Sequence, residues 1–278
     1  MSVREPIHLI INADDYGYFP CISRGIVEAA RSGALTATGI LANSPDLTAQ
    51  LDWLNTIDDL DIGVHLNLTF RQPLTATMAE KLSRWEGNFP NAYVMSMLIL
   101  KGKISIQDVR IEWRAQIEAC QRKNLLFLNA HEHIHMLPVL FSLALELAQE
   151  YAIPHVRVTQ ADWLRPFGGS AILRNTLMQT MQSLNQPKLK TPTPLFLGLS
   201  RSGKLDYAYL ATLFPTLKPG KCYELMCHPG HFDPREISDP KLMAYHDWEA
   251  ELALLQSPTV HALYEKFGIR LSHYHPHH

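Results

Sequence analysis

The sequence predicts an α/β fold, an irregular (β/α) barrel of about seven parallel strands with its active site at the C-terminal strand ends. Short β-rich runs alternate with longer helical patterns along the chain, the rhythm of βαβ units and a parallel sheet. Roughly seven or eight such runs fit in 278 residues, more than an open five-stranded sheet needs. Residues with metal-ligating or acid–base chemistry stand where several of the runs end, and in parallel α/β folds sites are built at those ends.

The apolar run over 7–11 predicts a buried first strand ending at Asn12, followed by a helix over 22–32, a strand over 35–41, a helix over 47–56 and a strand over 62–68. Further on come a helix over 106–123, a strand over 125–129, a helix over 139–151, a strand over 155–158 and a helix over 171–184. The Pro-rich stretch 187–194 reads as a surface loop within the barrel, since only about 85 residues follow it. A strand over 195–197, a helix over 207–213, a strand over 223–227, a helix over 241–255 and a last strand over 269–271 complete the series. One domain is therefore expected over 1–272, with a His-rich tail, 273–278, that reads as a frayed terminus able to chelate metal. No repeat of fixed period is present.

With 46% hydrophobic and 19% charged residues, the chain can bury a full core and lacks the signature of disorder. Its 25 basic and 27 acidic residues give a formal charge of −2, which offers no basic stripe for nucleic acid and no polybasic membrane patch. Cys21, Cys120, Cys222 and Cys227 form no C-x-x-C pair, which predicts reduced thiols in a cytoplasmic protein. The first residues, Met1 to Pro6, do not resemble a signal peptide, and Ala92–Leu100 is about half the ~20 apolar residues of a membrane span. That stretch reads as a helix packed on the barrel, with an apolar surface for a lipid-linked sugar as the alternative.

The strongest chemical signal is Asn12-Ala13-Asp14-Asp15, which leaves two adjacent carboxylates at the mouth of a buried strand. Successive strand side chains face opposite ways, so a division of labour is expected once the backbone turns: one carboxylate for a cation, one for a proton. His65 in Gly63-Val64-His65, the alternating His131, His133 and His135, and His228 before Pro229-Gly230 stand at three further strand ends. Singly, each has a bland reading as a core, turn or capping residue. Three histidines on one face of a strand or turn are costly to bury without a role, and joint occurrence at four strand ends points to a site.

The set resembles the YdjC-like carbohydrate deacetylase family, which includes diacetylchitobiose deacetylases and the deacetylases associated with hopanoid biosynthesis. The resemblance is carried by Asn12-Ala13-Asp14-Asp15-Tyr16-Gly17, by Gly33-Ala34-Leu35-Thr36-Ala37-Thr38, and by Gly63-Val64-His65-Leu66-Asn67-Leu68-Thr69. His131 to His135 followed by Pro138, and Glu224 to Gly230, complete the order almost end to end. The resemblance implies a metal-dependent N-deacetylase acting on an N-acetylated amino sugar, an oligosaccharide or a lipid-linked one. It implies Asp15, His65 and His131 as ligands of one divalent metal ion, Zn or Mg, Asp14 as the base and His228 as the acid. Two imidazoles and a carboxylate are also what hydrolytic metal chemistry asks for.

Glu224 is expected to orient His228, and His133 or His135 to bind substrate hydroxyls or hold a ligand histidine. Asn129 departs from the pattern: many relatives carry Asp there, so a carboxylate behind a ligand histidine is lost, and control of its tautomer would pass to a backbone carbonyl. The segment 199–205 is closer to the hopanoid-associated branch. Trp53, Trp85, Trp113, Trp163 and Trp248 read mostly as core, with a sugar-stacking platform among them as the alternative. A metal-dependent phosphoesterase would want a two-metal carboxylate cluster or a Gly-rich phosphate loop, and neither is visible. A non-catalytic sugar-binding protein would not need both Asp14 and His228. A homodimer is left open as the oligomeric state.

Overall fold

The computed structural model describes residues 5–121, 123–164 and 169–274; four residues of the expected His-rich tail, His275, Pro276, His277 and His278, lie outside these. The chain alternates β1 (Ile7–Tyr16), α1 (Pro20–Arg31), β2 (Ala37–Ile40), α2 (Leu47–Trp53) and β3 (Asp61–Leu66). It continues through α3 (Ala76–Lys81), α4 (Ala92–Leu100), α5 (Ile106–Cys120), β4 (Leu125–Ala130), α6 (Pro138–Glu150), β5 (His155–Val156) and α7 (Gly169–Asn185). It ends with β6 (Leu195–Leu197), α8 (Tyr207–Leu213), β7 (Cys222–Cys227), α9 (Pro240–Tyr245), α10 (Trp248–Leu255), α11 (Pro258–Phe267) and β8 (Ile269–Leu271). None of the described helices is long and apolar enough to cross a membrane.

All strand pairs are parallel, in the order β5-β4-β3-β2-β1-β7-β6, and β8 pairs with the start of β1. The edge strands β5 and β6 do not pair, so the barrel is open at that seam, which is the irregularity expected. The sheet is nonetheless strongly curled. In a flat sheet β5 would lie roughly 19 Å from β1, four spacings of about 4.8 Å. Arg157, one residue past β5, nevertheless meets Asp14 of β1 at 2.6 Å.

Alternation along β1 divides the core. Leu9, Ile11 and Ala13 pack outward in the large cluster beneath the helices, while Ile10 belongs to a small inner cluster with Phe127 and Tyr274. Asn12 and Asp14 follow Ile10 on the inner face. The lumen is thus apolar at its N-terminal end and polar at the end where the strands finish.

Three departures from expectation have local causes. The predicted helix over 241–255 is two helices, because His246 is extended and the Asp247 carboxylate accepts the Ala250 N–H at 3.3 Å, starting a new helix. The short α3 was not expected. Neither was α11, although Ser257 accepts the Val260 N–H, Pro258 opens the helix and Gly268 closes it at φ 66°.

Candidate active site

β1 does not stop at Asn12. Its pairing with β2 slips between Ala13 and Tyr16, and Asp15 sits at φ 69°. This left-handed bulge turns Asp15 away from the alternation, so that Asp14 and Asp15 both face the lumen's open end. Asp tolerates the conformation better than most residues, at a cost of roughly 1 kcal/mol.

Asp15 Oδ1 lies 3.2 Å from His65 Nε2 and 2.8 Å from His131 Nδ1. One ligand atom from each of the three falls within 4.8 Å of the others. Burial pushes the Asp15 carboxyl up, but His131 and His65 outweigh it and hold the group well below the usual carboxylate range. His65 Nε2 is buried without a hydrogen-bond partner, an orphan that a cation would satisfy. Donor set, spacing and orphan all fit a divalent metal.

Asn129 fixes which nitrogen that is. Its Nδ2 donates to Asp14 Oδ1 at 2.9 Å, so its Oδ1 faces His65 Nδ1 at 2.7 Å and accepts the ring proton, leaving Nε2 with its lone pair. Tautomer control therefore passes to the Asn129 side chain and not to a backbone carbonyl. Gly39 leaves room for the arrangement: a Cβ there would stand 3.1 Å from Asn129 Oδ1 and 3.2 Å from His65 Cβ.

Asp14 is gripped by Arg157, which sequence reasoning missed. The guanidinium meets both carboxylate oxygens, Nη1 to Oδ2 at 2.6 Å and Nη2 to Oδ1 at 2.8 Å, and its Nε donates to Glu224 at 2.6 Å. Burial raises the Asp14 carboxyl, yet Arg157 and then His65 pull it far below its ordinary value. Oδ1 also accepts from Asn12 at 2.7 Å, so Oδ2 is the less committed oxygen. Glu224 thus serves Arg157, not His228 as expected, and burial raises its own pKa. The signal was present: Arg157 is a lone charge in the apolar run His155-Val156-Arg157-Val158.

His228 follows β7. The buried Glu251 accepts the His228 N–H at 2.5 Å and the Leu205 N–H at 3.0 Å, tying strand end to loop. The Gly203 N–H donates to His228 Nδ1 at 3.2 Å, which leaves Nε2 to carry the proton. Gly203 has φ 75°, and a Cβ there would stand 2.7 Å from His246 Nδ1.

The three alternating histidines do not share a face. Glu132 and His133 are left-handed, at φ 50° and 55°, and the turn sends each ring elsewhere. His131 joins the triad. His133 faces Thr159 Oγ1 at 3.2 Å and lines the cavity, burial and then Arg157 holding its pKa well below the usual value. His135 is buried, donates Nε2–H to the Arg157 carbonyl at 3.0 Å, and is brought down to about 3 by burial.

A cavity of about 600 Å³ spans Asp14, Asp15, His65, His131 and His228. No tryptophan is among the described residues that line it; its aromatic wall is Tyr18 against Phe70, ring centroids 4.2 Å apart, and Tyr245 and His246 also line it, the His246 ring 5.2 Å from that of His228. Trp248 instead lies beneath His246, stacked at 4.8 Å.

The model of the YdjC-like protein family matches residues 8–266. The chain belongs to that family. It is 26% identical to a carbohydrate deacetylase of Geobacillus stearothermophilus, over 97% of each chain. It is also 26% identical to a chitooligosaccharide deacetylase of Yersinia pestis, over 95% of this chain and 96% of the relative. A crystal structure from Enterococcus faecalis, described by a proposed cellobiose-phosphate cleavage role, superposes with TM-score 0.72 at 25% identity over 97% of this chain and 98% of that one. The family membership accords with the curled parallel sheet and with the motifs that meet in the cavity.

Proposed function

We propose that this YdjC-like protein removes the acetyl group from an N-acetylated amino sugar by metal-dependent hydrolysis. The observation that carries the reading is the convergence of Asp15, His65 and His131, with His65 Nε2 orphaned, beside Asp14 and His228 in one cavity. Relatives named carbohydrate and chitooligosaccharide deacetylases support the substrate class.

Asp15, His65 and His131 would hold one divalent ion, Zn or Mg, whose Lewis acidity would lower the pKa of the attacking water and polarise the acetamide carbonyl. Asp14 Oδ2 takes a proton from the water as its oxygen bonds to the carbonyl carbon. Arg157 holds Asp14 in place for that transfer. His228 offers its Nε2–H to the sugar nitrogen as the C–N bond breaks, and the products are acetate and a free amine. Tyr18 and Phe70 give the sugar ring an apolar face. His133, on the cavity wall, is placed to meet a hydroxyl.

The test is acetate release from N-acetylglucosamine oligosaccharides and glycolipids, before and after chelation and with metals restored. We expect release that chelation abolishes and metal restores. Asp15→Ala and His65→Ala should lose metal and turnover together, and Asp14→Asn should keep metal and lose turnover. Normal turnover by Asp14→Asn would overturn the base assignment. Turnover only of phosphoesters, or sugar binding without any turnover, would replace the reading.

A further inference from the structure

The lumen has a floor that the reaction does not touch. Tyr274, three residues past β8, is 5% exposed and stacks on Phe127 with ring centroids 4.5 Å apart and planes 22° apart. Ile10, Ala37 and Leu126 complete the cluster, and Cys222 packs against it. The segment is tied down on both sides: the Tyr274 N–H donates to Asp61 Oδ2 at 2.5 Å, its carbonyl accepts from His155 Nε2 at 3.1 Å, and His273 meets Asp59 and Asp61 at 3.2 and 3.5 Å.

Above this floor stands the ion-pair chain. Glu224 lies two residues beyond Cys222 on β7, so both face the lumen, and it joins Arg157, which joins Asp14. Ile10, in the cluster that holds the ring, is the β1 register partner of Glu224, which places the ring at the chain's lower end; burial and then Glu224 push the Tyr274 hydroxyl well above its ordinary value. Below lies a cavity of about 590 Å³ at the N-terminal face, lined by Tyr274, Cys222, His8 and Lys221. Tyr274 lines that cavity, whereas Glu224 and Arg157 do not.

We propose that Tyr274 is a positioning residue for the deacetylation proposed above: its ring seals the N-terminal mouth of the barrel, and the dry Glu224–Arg157 pair then holds Asp14 in one orientation. Charges attract several-fold more strongly at the effective dielectric of a protein than in water, so admitting water beneath Glu224 loosens the whole chain. Asp14 then swings within the site without any change to Asp15, His65 or His131.

The experiment uses the full chain with Tyr274→Phe and Tyr274→Ala, measuring kcat and KM for acetate release, metal content, thermal unfolding, and the alkylation rate of Cys222 by peptide mass spectrometry. We expect Tyr274→Ala to lose at least about tenfold in kcat, as a small misplacement of a reacting group does, with KM within about twofold and metal content unchanged. Cys222 should be alkylated faster in Tyr274→Ala, and Tyr274→Phe should restore both readouts. If Tyr274→Ala does not fold, Tyr274→Leu carries the same comparison. Faster alkylation with wild-type kcat overturns the positioning role, as does a loss of KM and metal alongside kcat that Tyr274→Phe fails to rescue. Absence of acetate release from the wild type overturns the deacetylase reading instead, while alkylation still reports whether the ring covers Cys222.

Discussion

Asn129 serves two neighbours with one amide. Its oxygen holds the His65 ring proton and its nitrogen holds Asp14, so one neutral side chain sets the tautomer of a proposed ligand and steadies the expected base. Removing it as Asn129→Ala frees His65 to place its proton on either nitrogen. Losing such a partner behind a ligand typically costs about 10–100-fold in metal affinity, and we expect a loss in that range for Zn²⁺. Calorimetric titration of metal-free wild type and variant decides it; equal affinities would mean that Asn129 does not control the ring. Asp14, Asp15, His65, His131 and His228 stood out in the sequence because each lies within or just past an apolar run. Arg157 was not singled out, because a single charge in a short run carries no spacing to read. His133 and His135 were not separable from His131, because alternation assumes extended backbone and Glu132 and His133 are left-handed.

Among the elements, the long helices and the parallel pairings were legible, and the irregular joints were not. The bulge that turns Asp15 is invisible in composition, and so is the break between α9 and α10 that extends His246 across the Gly203 loop. That loop is held from three sides: Glu251 accepts from Leu205, the Gly203 N–H donates to His228, and the Gly203 carbonyl accepts from Asp247 at 2.7 Å. Gly203→Ala confronts it with a side chain at φ 75° and a contact of 2.7 Å to His246. The conformational part alone costs about 1–2 kcal/mol. Moving the N–H that orients His228 should also lower kcat more than tenfold, in the range seen when a positioned proton donor is displaced. Acetate release and thermal unfolding measured together check this; a variant as active as the wild type would show that His228 does not need Gly203.

At the scale of the whole molecule, curling the sheet without closing it puts charged groups inside and leaves neutral histidines buried around them, and acid stability follows from that burial. His135 and His246 are both brought from 6.5 to about 3, first by burial. The folded state therefore binds protons on them less readily than the unfolded chain does. Their contribution is complete above pH 6.5 and is lost progressively as pH falls from there toward 3. Asp14 and Asp15, also depressed, lose their contribution only below their ordinary value of 3.8. The metal-free protein should thus begin to weaken near pH 6.5, well before the contribution of Asp14 or Asp15 is lost. Each buried neutral histidine adds a slope of up to about 1.4 kcal/mol per pH unit. His135→Gln keeps an N–H for the Arg157 carbonyl and removes one titration, so the slope between pH 6 and 4 should fall by about that amount. Urea unfolding of both proteins at pH 7, 6, 5 and 4, without metal, measures the difference. Parallel curves would mean that His135 takes up its proton without opening the barrel, and that the acid sensitivity lies with His246 or with the ion-pair chain.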